Sequence, residues 1–270
     1  MSNFTVVTVN YNSSEHTCSL IDNLESIIIE SDFSIKLLII DNNSKKENLG
    51  VLEDRIKNLK WANLYKNKDN VGYFRGLNVG LEMIPDAERD WVVICNNDLK
   101  FENNFFDCLL KITLPQDTFV IAPRITTIDG REQNPHVVKS ISYFRRFCYD
   151  LYFLNYHLGR IMMKFAPLLR RQDSVGMQNF ENREIYMGIG ACYILTKEYF
   201  KKCNKLDERV FLWGEEALLA GQVKEAKGKT IFAPALRVYH SESASVSKIP
   251  SHESYLISRG SYKIYRRYLR

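Results

Sequence analysis

The 270-residue chain has no G-x-G-x-x-G turn after its first apolar segment and no P-loop. Neither a nicotinamide dinucleotide nor a Walker-type phosphate cradle is therefore expected. Its six cysteines, Cys18, Cys95, Cys108, Cys148, Cys192 and Cys203, never form a C-x-x-C pair, which argues against a zinc framework. Most of them stand among apolar neighbours and read as small core side chains. No run reaches the roughly 18 apolar residues that a membrane-spanning helix needs. The amino terminus starts directly on a strand-like segment with no cleavable apolar region, so the expected compartment is a reducing cytosol. Internal repeats and low-complexity segments are missing too. Lysine and arginine are scattered without a recognition motif, and nucleic acid is not expected as a partner. The net charge of +5 is a mild basic bias that suits a phosphate-bearing ligand.

What is present is ordinary for a globular protein: 45% hydrophobic and 26% charged residues, enough to bury a sizeable core. The first half alternates. Short β-branched runs, Phe4–Asn10, Ile35–Ile40, Ala62–Tyr65, Trp91–Cys95 and Phe119–Ala122, are separated by segments with helical spacing. Such alternation predicts an α/β fold, a mostly parallel central sheet flanked by helices. Ligands bind such sheets beyond the carboxyl ends of the strands. Polar clusters fall at those ends: Asn10-Tyr11-Asn12, Asp41-Asn42-Asn43 and Asn96-Asn97-Asp98. Turn chemistry accounts for any one of them; three on otherwise apolar strands point to one shared site.

The second half is less regular. Glu184–Thr196 reads as a strand pair or a strand with a glycine-rich approach, and Thr230–Ala233 and Leu236–His240 as short strands. Glu215-Glu216 opens a helix that runs to about Lys227, and the tail from Tyr255 to Arg270 reads as an amphipathic helix.

Five segments in order, VTVNYN, IIDNNS, NVGYFRGLNVGL, ICNNDLKF and DERVFLWGEE with APALRVYH, resemble the family 2 glycosyltransferases, in particular their rhamnosyltransferase-like branch. The resemblance implies a GT-A type fold over residues 1–240. Residues 1–123 would form the nucleotide-sugar half, and 124–240 the acceptor half with an amphipathic insertion at 140–171; a helical tail follows at 241–270. It implies an inverting transfer from a nucleotide diphosphate sugar, dTDP-rhamnose or a UDP-sugar, to a hydroxyl of a saccharide or lipid-linked acceptor in surface polysaccharide synthesis. A catalytically degenerate binding subunit and a sugar nucleotidyltransferase are the competing readings. The latter would want a basic glycine-rich loop where Asn10-Tyr11-Asn12 stands.

Residue by residue, the resemblance assigns Asp41 to the base, where a carboxylate suits the imide N–H of uracil or thymine, with Asn10, Asn12 and Asn43 beside it. Gly72 would let backbone amides approach a phosphate, and Arg75 would pair with it. Asn78 shares the helix face of Arg75. Asn96-Asn97-Asp98 stands where the family has its acidic metal motif, with Asp98 matching the metal-binding aspartate and Asn96 replacing the first acid. The implied cofactor is a divalent cation, Mn²⁺ or Mg²⁺, held by oxygen ligands. His240 would ligate that metal or touch the diphosphate. Glu216 is the expected general base and Glu215 the residue that holds the acceptor or orients Glu216, with the reverse assignment open. Leu218 stands where the family often has a further aspartate.

Between Phe144 and Leu169, apolar residues recur at helical steps among Arg145, Arg146, Arg160, Lys164, Arg170 and Arg171. That pattern fits a membrane-interface helix, placing the enzyme peripherally at the inner face of the cell membrane. It equally fits a core helix or a dimer contact.

Overall fold

A computed structural model describes residues 3–169, 181–241 and 251–269. Parallel pairing organises the first half. β1 (Asn3–Asn10), β2 (Ser34–Asp41), β3 (Ala62–Lys66) and β4 (Trp91–Cys95) lie in the order β3-β2-β1-β4. Their crossovers are α1 (Ser14–Ile29), α2 (Lys46–Ile56) and α3 (Tyr73–Glu82). The strands are apolar throughout because both faces are covered. Phe4, Val6, Leu37, Ile39, Val93 and Cys95 enter the core layer that includes Leu20 and Leu24 of α1. Val7, Leu38, Ile40, Val92 and Ile94 alternate with them and meet Phe74, Leu77 and Leu81 of α3 on the opposite face.

Beyond β4 the sheet is mixed. It adds β5 (Leu99–Phe101), α4 (Phe105–Lys111), β6 (Thr118–Thr127), α5 (Tyr143–Tyr152), α6 (Tyr156–Leu169), β7 (Arg183–Ile185), β8 (Cys192–Thr196), α7 (Lys197–Cys203), α8 (Glu215–Glu225) and β9 (Lys229–His240). The full order is β3-β2-β1-β4-β8-β6-β9-β5, with β7 also on β9. Segment 184–196 holds two strands that do not pair with each other. β8 is inserted antiparallel between β4 and β6, while β7 pairs with β9. Segments 230–233 and 236–240 belong to one strand, β9, whose register against β6 shifts between Pro123 and Arg124. Periodicity alone cannot reveal such an irregularity, because the shift moves the pairing without ending the strand.

The single amphipathic run at 144–169 is two helices, interrupted between Tyr152 and Tyr156. Arg170 and Arg171 lie outside the described residues. The tail forms α9 (His252–Tyr265) and a 3₁₀ turn at Arg266–Leu269. It is docked, not appended: Tyr255, Tyr262 and Leu269 pack with Ala217 and Ala220 of α8, and Phe153 stacks on Tyr262 at 4.4 Å between ring centroids. Ser261 Oγ donates to the Leu212 carbonyl at 2.7 Å, so the tail also clamps the loop that leads into α8.

Gly214, the N-cap of α8, has φ +98°, and a Cβ there would lie 2.1 Å from the Tyr265 ring. Gly214→Ala carries both a left-handed penalty and a clash with the tail, and should lower stability by about 1–3 kcal/mol in urea unfolding. An unchanged midpoint would mean that the tail is not seated on this turn.

Candidate active site

Three strand ends meet through their amides and carboxylates. The parallel register places Asn10 beside Asp41, and both are buried. Asn10 Nδ2 donates to Asp41 Oδ1 at 2.7 Å, and Asn10 Oδ1 accepts from Thr17 Oγ1 at 2.9 Å. Asp41 also accepts from the Ser44 hydroxyl at 2.6 Å and the Ser44 amide at 2.9 Å. Asn97, just beyond β4, brings its Nδ2 within 2.7 Å of Ser13 Oγ and 2.8 Å of Thr17 Oγ1. Asn12 and Asn43 adopt left-handed backbone (φ +52° and +63°), which asparagine tolerates. Asn12 Oδ1 accepts from the Lys45 amide at 2.8 Å. Buried polar groups must be paired, and here the pairing holds the ends of β1, β2 and β4 in one arrangement.

Asn42 extends that network toward α3 and was missed by the sequence reading, which took its neighbours. Its Nδ2 donates to the Gly72 carbonyl at 3.0 Å, and its Oδ1 accepts from Asn67 Nδ2 at 2.8 Å. Gly72 has φ +91°, and a Cβ there would stand 2.3 Å from the Phe211 carbonyl oxygen. The adjacent Tyr73 amide donates to that oxygen at 3.2 Å, and Tyr73 Oη donates to the Gly190 carbonyl at 3.3 Å. The Asn70–Tyr73 turn, the 188–191 loop and the 211–214 loop therefore interlock.

Arg75, in the first turn of α3, is more than half exposed and only 3.9 Å from Glu208. Asn78 is on the same helix but buried, and its amide is taken up at both ends. Nδ2 donates to the Leu206 carbonyl at 2.9 Å and to Glu208 at 2.7 Å, while Oδ1 accepts from the Leu206 amide at 2.9 Å. Asn78 thus fastens the 206–208 loop, and the two residues of one face do different work.

β5 and β9 pair antiparallel with Leu99 opposite His240, which sets Asp98 beside the imidazole. His240 Nε2 is 3.2 Å from Asp98 Oδ1, and His240 Nδ1 is 2.8 Å from Gln133 Oε1. Asp98 Oδ1 is buried and forms no hydrogen bond of good geometry. The Gln133 oxygen at Nδ1 holds the ring so that Nε2 faces this carboxylate, as a donor when the imidazole is protonated or as a ligand when a cation is shared. Two ligands of an octahedral divalent ion, each about 2.1–2.2 Å from it, lie about 3.0–3.1 Å apart at a right angle. The pair fits such an ion in spacing and donor type. Among the described residues no group of three or more His, Cys, Asp or Glu side chains could hold a metal, so the remaining ligands would have to come from substrate and water. Asn96 contributes its backbone amide to the Ala191 carbonyl at 2.8 Å.

Glu215 and Glu216 form the first turn of α8, where the helix dipole favours negative charge. They face different surroundings. Glu215 is buried, and its Oε1 has no hydrogen-bond partner. Burial, followed by repulsion from Glu216, pushes its carboxyl up to about 8. Glu216 Oε1 accepts from the Gly190 amide at 3.2 Å. Glu216 also lines a cavity of about 770 Å³ walled by α5, α6, α8 and the tail. His136 lines the same cavity, and burial lowers its pKa. Leu218 is fully buried against Val210 and Tyr268.

No residue of α5 is buried. Tyr143, Phe144 and Phe147 are 86%, 76% and 58% exposed, so the core-helix explanation of that apolar face does not hold for them. No described helix is long and apolar enough to cross a membrane.

The raised Glu215 carboxyl makes stability depend on pH. Between the ordinary glutamate value of 4.5 and about 8 the native state holds a proton that the unfolded chain has released, so stability falls as pH rises through that window. Glu215→Gln should flatten that fall in thermal unfolding from pH 5 to 8. A slope identical in the variant would show that Glu215 is ionised when folded.

Comparison with known proteins gives one answer at each level. Residues 5–203 match the model of glycosyl transferase family 2. Two curated proteins from two strains of Mycobacterium tuberculosis, both named N-acetylglucosaminyl-diphospho-decaprenol L-rhamnosyltransferase, are 22% identical over 262 residues, covering 91% of this chain and 78% of theirs. Among solved structures, GalNAc-T7 with UDP, GalNAc and Mn²⁺ superposes with a TM-score of 0.61 at 16% identity; 91% of this chain is matched, but only 45% of the other. Mannosyltransferase PcManGT from Pyrobaculum calidifontis, in complex with GDP-Man and Mn²⁺, gives a TM-score of 0.57 at 12% identity, covering 96% of this chain and 69% of the other. The S. aureus TarS 1-349 complex with UDP-GlcNAc gives 0.56 at 12%, covering 90% and 59%. The chain thus spans less than two thirds of the length of two of these three structures. The fold is the GT-A type, and the chain belongs to glycosyl transferase family 2.

Proposed function

We propose that this chain is an inverting glycosyltransferase that moves a sugar from a nucleotide diphosphate to a hydroxyl of a saccharide or lipid-linked acceptor. The observation that carries the reading is the Asp98–His240 pair, a carboxylate oxygen and an imidazole nitrogen 3.2 Å apart, a spacing that suits two ligands of one divalent ion. Asn96, two residues before Asp98, is bonded to the same 190–191 loop whose Gly190 amide holds Glu216. Asp98 and His240 would hold a divalent cation, Mn²⁺ or Mg²⁺, which neutralises charge on a diphosphate leaving group.

Glu216 is the base. It takes the proton of the acceptor hydroxyl as that oxygen attacks the anomeric carbon from the side opposite the diphosphate. One C–O bond forms, the bond to the diphosphate breaks, and the nucleoside diphosphate leaves with the electron pair. Glu215, kept neutral by burial, sets the position of Glu216. At the donor end, Asp41 Oδ2 accepts one amide and retains capacity for the imide N–H of uracil or thymine. Asn10, Asn12 and Asn43 shape that end. Gly72 and Arg75 flank the phosphates, and Asn78 acts only by fastening the 206–208 loop. Asn97 fixes β4 to the cluster, with Asn96 beside the leaving group. The donor is dTDP-rhamnose or a UDP-sugar, in keeping with the rhamnosyltransferase activity that names the two mycobacterial relatives and the UDP and UDP-GlcNAc in two of the solved structures. The exposed aromatics and arginines of 144–169 rest on the inner face of the cell membrane.

Glu216→Gln should lose a factor of about 10²–10⁴ in turnover while keeping the thermal stabilisation by UDP or dTDP with Mn²⁺. That stabilisation is about 2.7 kcal/mol at a hundred times the dissociation constant. His240→Ala should remove the Mn²⁺-dependent part of the shift. Full turnover in Glu216→Gln would refute the assignment of the base.

A further inference from the structure

The cavity beside Glu216 is the wrong kind of space for a bare saccharide. Its walls include Val137, Phe153, Met163 and Met187, and sugar hydroxyls set against them would be left unpaired. Besides Cys148 and three tyrosines, its polar members are Glu216 in the first turn of α8, His136, and Arg145 of α5. Arg145 Nε donates to Tyr149 Oη at 3.1 Å, with the guanidinium 5.7 Å above the Tyr149 ring. That contact uses one of five donors and fixes the fork. The apolar wall also runs outward. Ile161 and Phe165 line the cavity yet are 54% and 56% exposed, which makes it continuous with the surface of α6. A cavity closed for packing would bury both. One that opens beside Glu216 at one end and onto an apolar ridge at the other suits a molecule with a polar head and a long apolar tail.

We infer that this cavity binds the apolar chain of a phosphate-bearing amphiphilic acceptor, with Arg145 on the phosphate and the saccharide end presented to Glu216. The inference rests on the proposal that Glu216 is the transferase base, and it selects the lipid-linked acceptor over the free saccharide. Each methylene removed from water adds to affinity, so chain length should govern acceptor affinity more strongly than the sugar does. Burial lowers the pKa of His136, and among the described residues that line the cavity Arg145 is the side chain with a fixed positive charge.

The test is calorimetric binding of dodecyl phosphate, dodecyl maltoside and inorganic phosphate to the full chain, each below its micelle concentration. Dodecyl phosphate is expected to bind, dodecyl maltoside to bind more weakly, and inorganic phosphate not to register. Ile161→Asp, half-exposed and so tolerant of charge, should weaken both amphiphiles at least tenfold. Arg145→Gln should weaken dodecyl phosphate about tenfold and leave dodecyl maltoside unchanged. The thermal shift with UDP or dTDP and Mn²⁺, run on every variant, checks the fold and the donor site independently. Amphiphiles that fail to bind, or bind equally to wild type and Ile161→Asp, while the nucleotide shift persists, overturn the cavity inference and leave the transferase reading intact. Loss of the nucleotide shift in the wild type overturns that reading itself.

Discussion

Buried polar groups have to find partners, and the ends of β1, β2 and β4 satisfy that demand on one another. Asn10, Asp41 and Asn97, with Ser13, Thr17 and Ser44, form a single hydrogen-bonded cluster at the carboxyl edge of the parallel strands. Parallel pairing brings those ends together, and low dielectric makes each unmade bond expensive. The cluster thereby fixes the loops that lead away from it. Asn42 reaches across to the Gly72 carbonyl, Gly72 admits the Phe211 carbonyl, and Tyr73 ties the same turn to Gly190. The parallel half of the sheet and the loop in front of α8 are joined by these contacts.

The second half answers with a different device. The antiparallel β5–β9 register sets Asp98 against His240, and Gln133, on the segment returning from β6, fixes the imidazole. Meanwhile the tail closes over α8. Ser261 holds the Leu212 carbonyl, Tyr265 covers Gly214, and Tyr262 stacks on Phe153. The position of Glu216 therefore depends on residues at the far end of the chain. Its two acids are made unequal by surroundings alone: Glu215 is enclosed, and Glu216 lines a cavity.

The parallel half was legible in the sequence because its strands are apolar on both faces and stop at polar residues. The same rule brought Asn10, Asp41 and Asp98 into view, since polar strand ends on such a sheet mark the ligand edge. The mixed half was less legible. β7 and β8 are separated by a glycine-containing loop that mimics a hairpin, and β9 crosses a register shift without a break in pattern. Asn42 stands inside the Asp41-Asn42-Asn43 cluster but has no role assigned by it, and Gln133 carries no motif; the importance of both comes from contacts with residues distant in the chain. Asn78 shares a helix face with Arg75 by spacing, but its burial against the Leu206–Glu208 loop is a tertiary fact. The apolar stripe of α5 announced an apolar face by its period; only the fold shows that no residue of this helix is buried.

In the proposed function, Asp98 and His240 hold one divalent ion jointly with a diphosphate. Pulsed electron paramagnetic resonance on Mn²⁺ with UDP or dTDP bound to the protein reads this directly, because a directly coordinated imidazole imprints nitrogen coupling on the manganese signal. A single nitrogen coupling is expected, appearing only when nucleotide is present and vanishing in His240→Ala. A ternary complex without nitrogen coupling, or with one that survives that substitution, would contradict it.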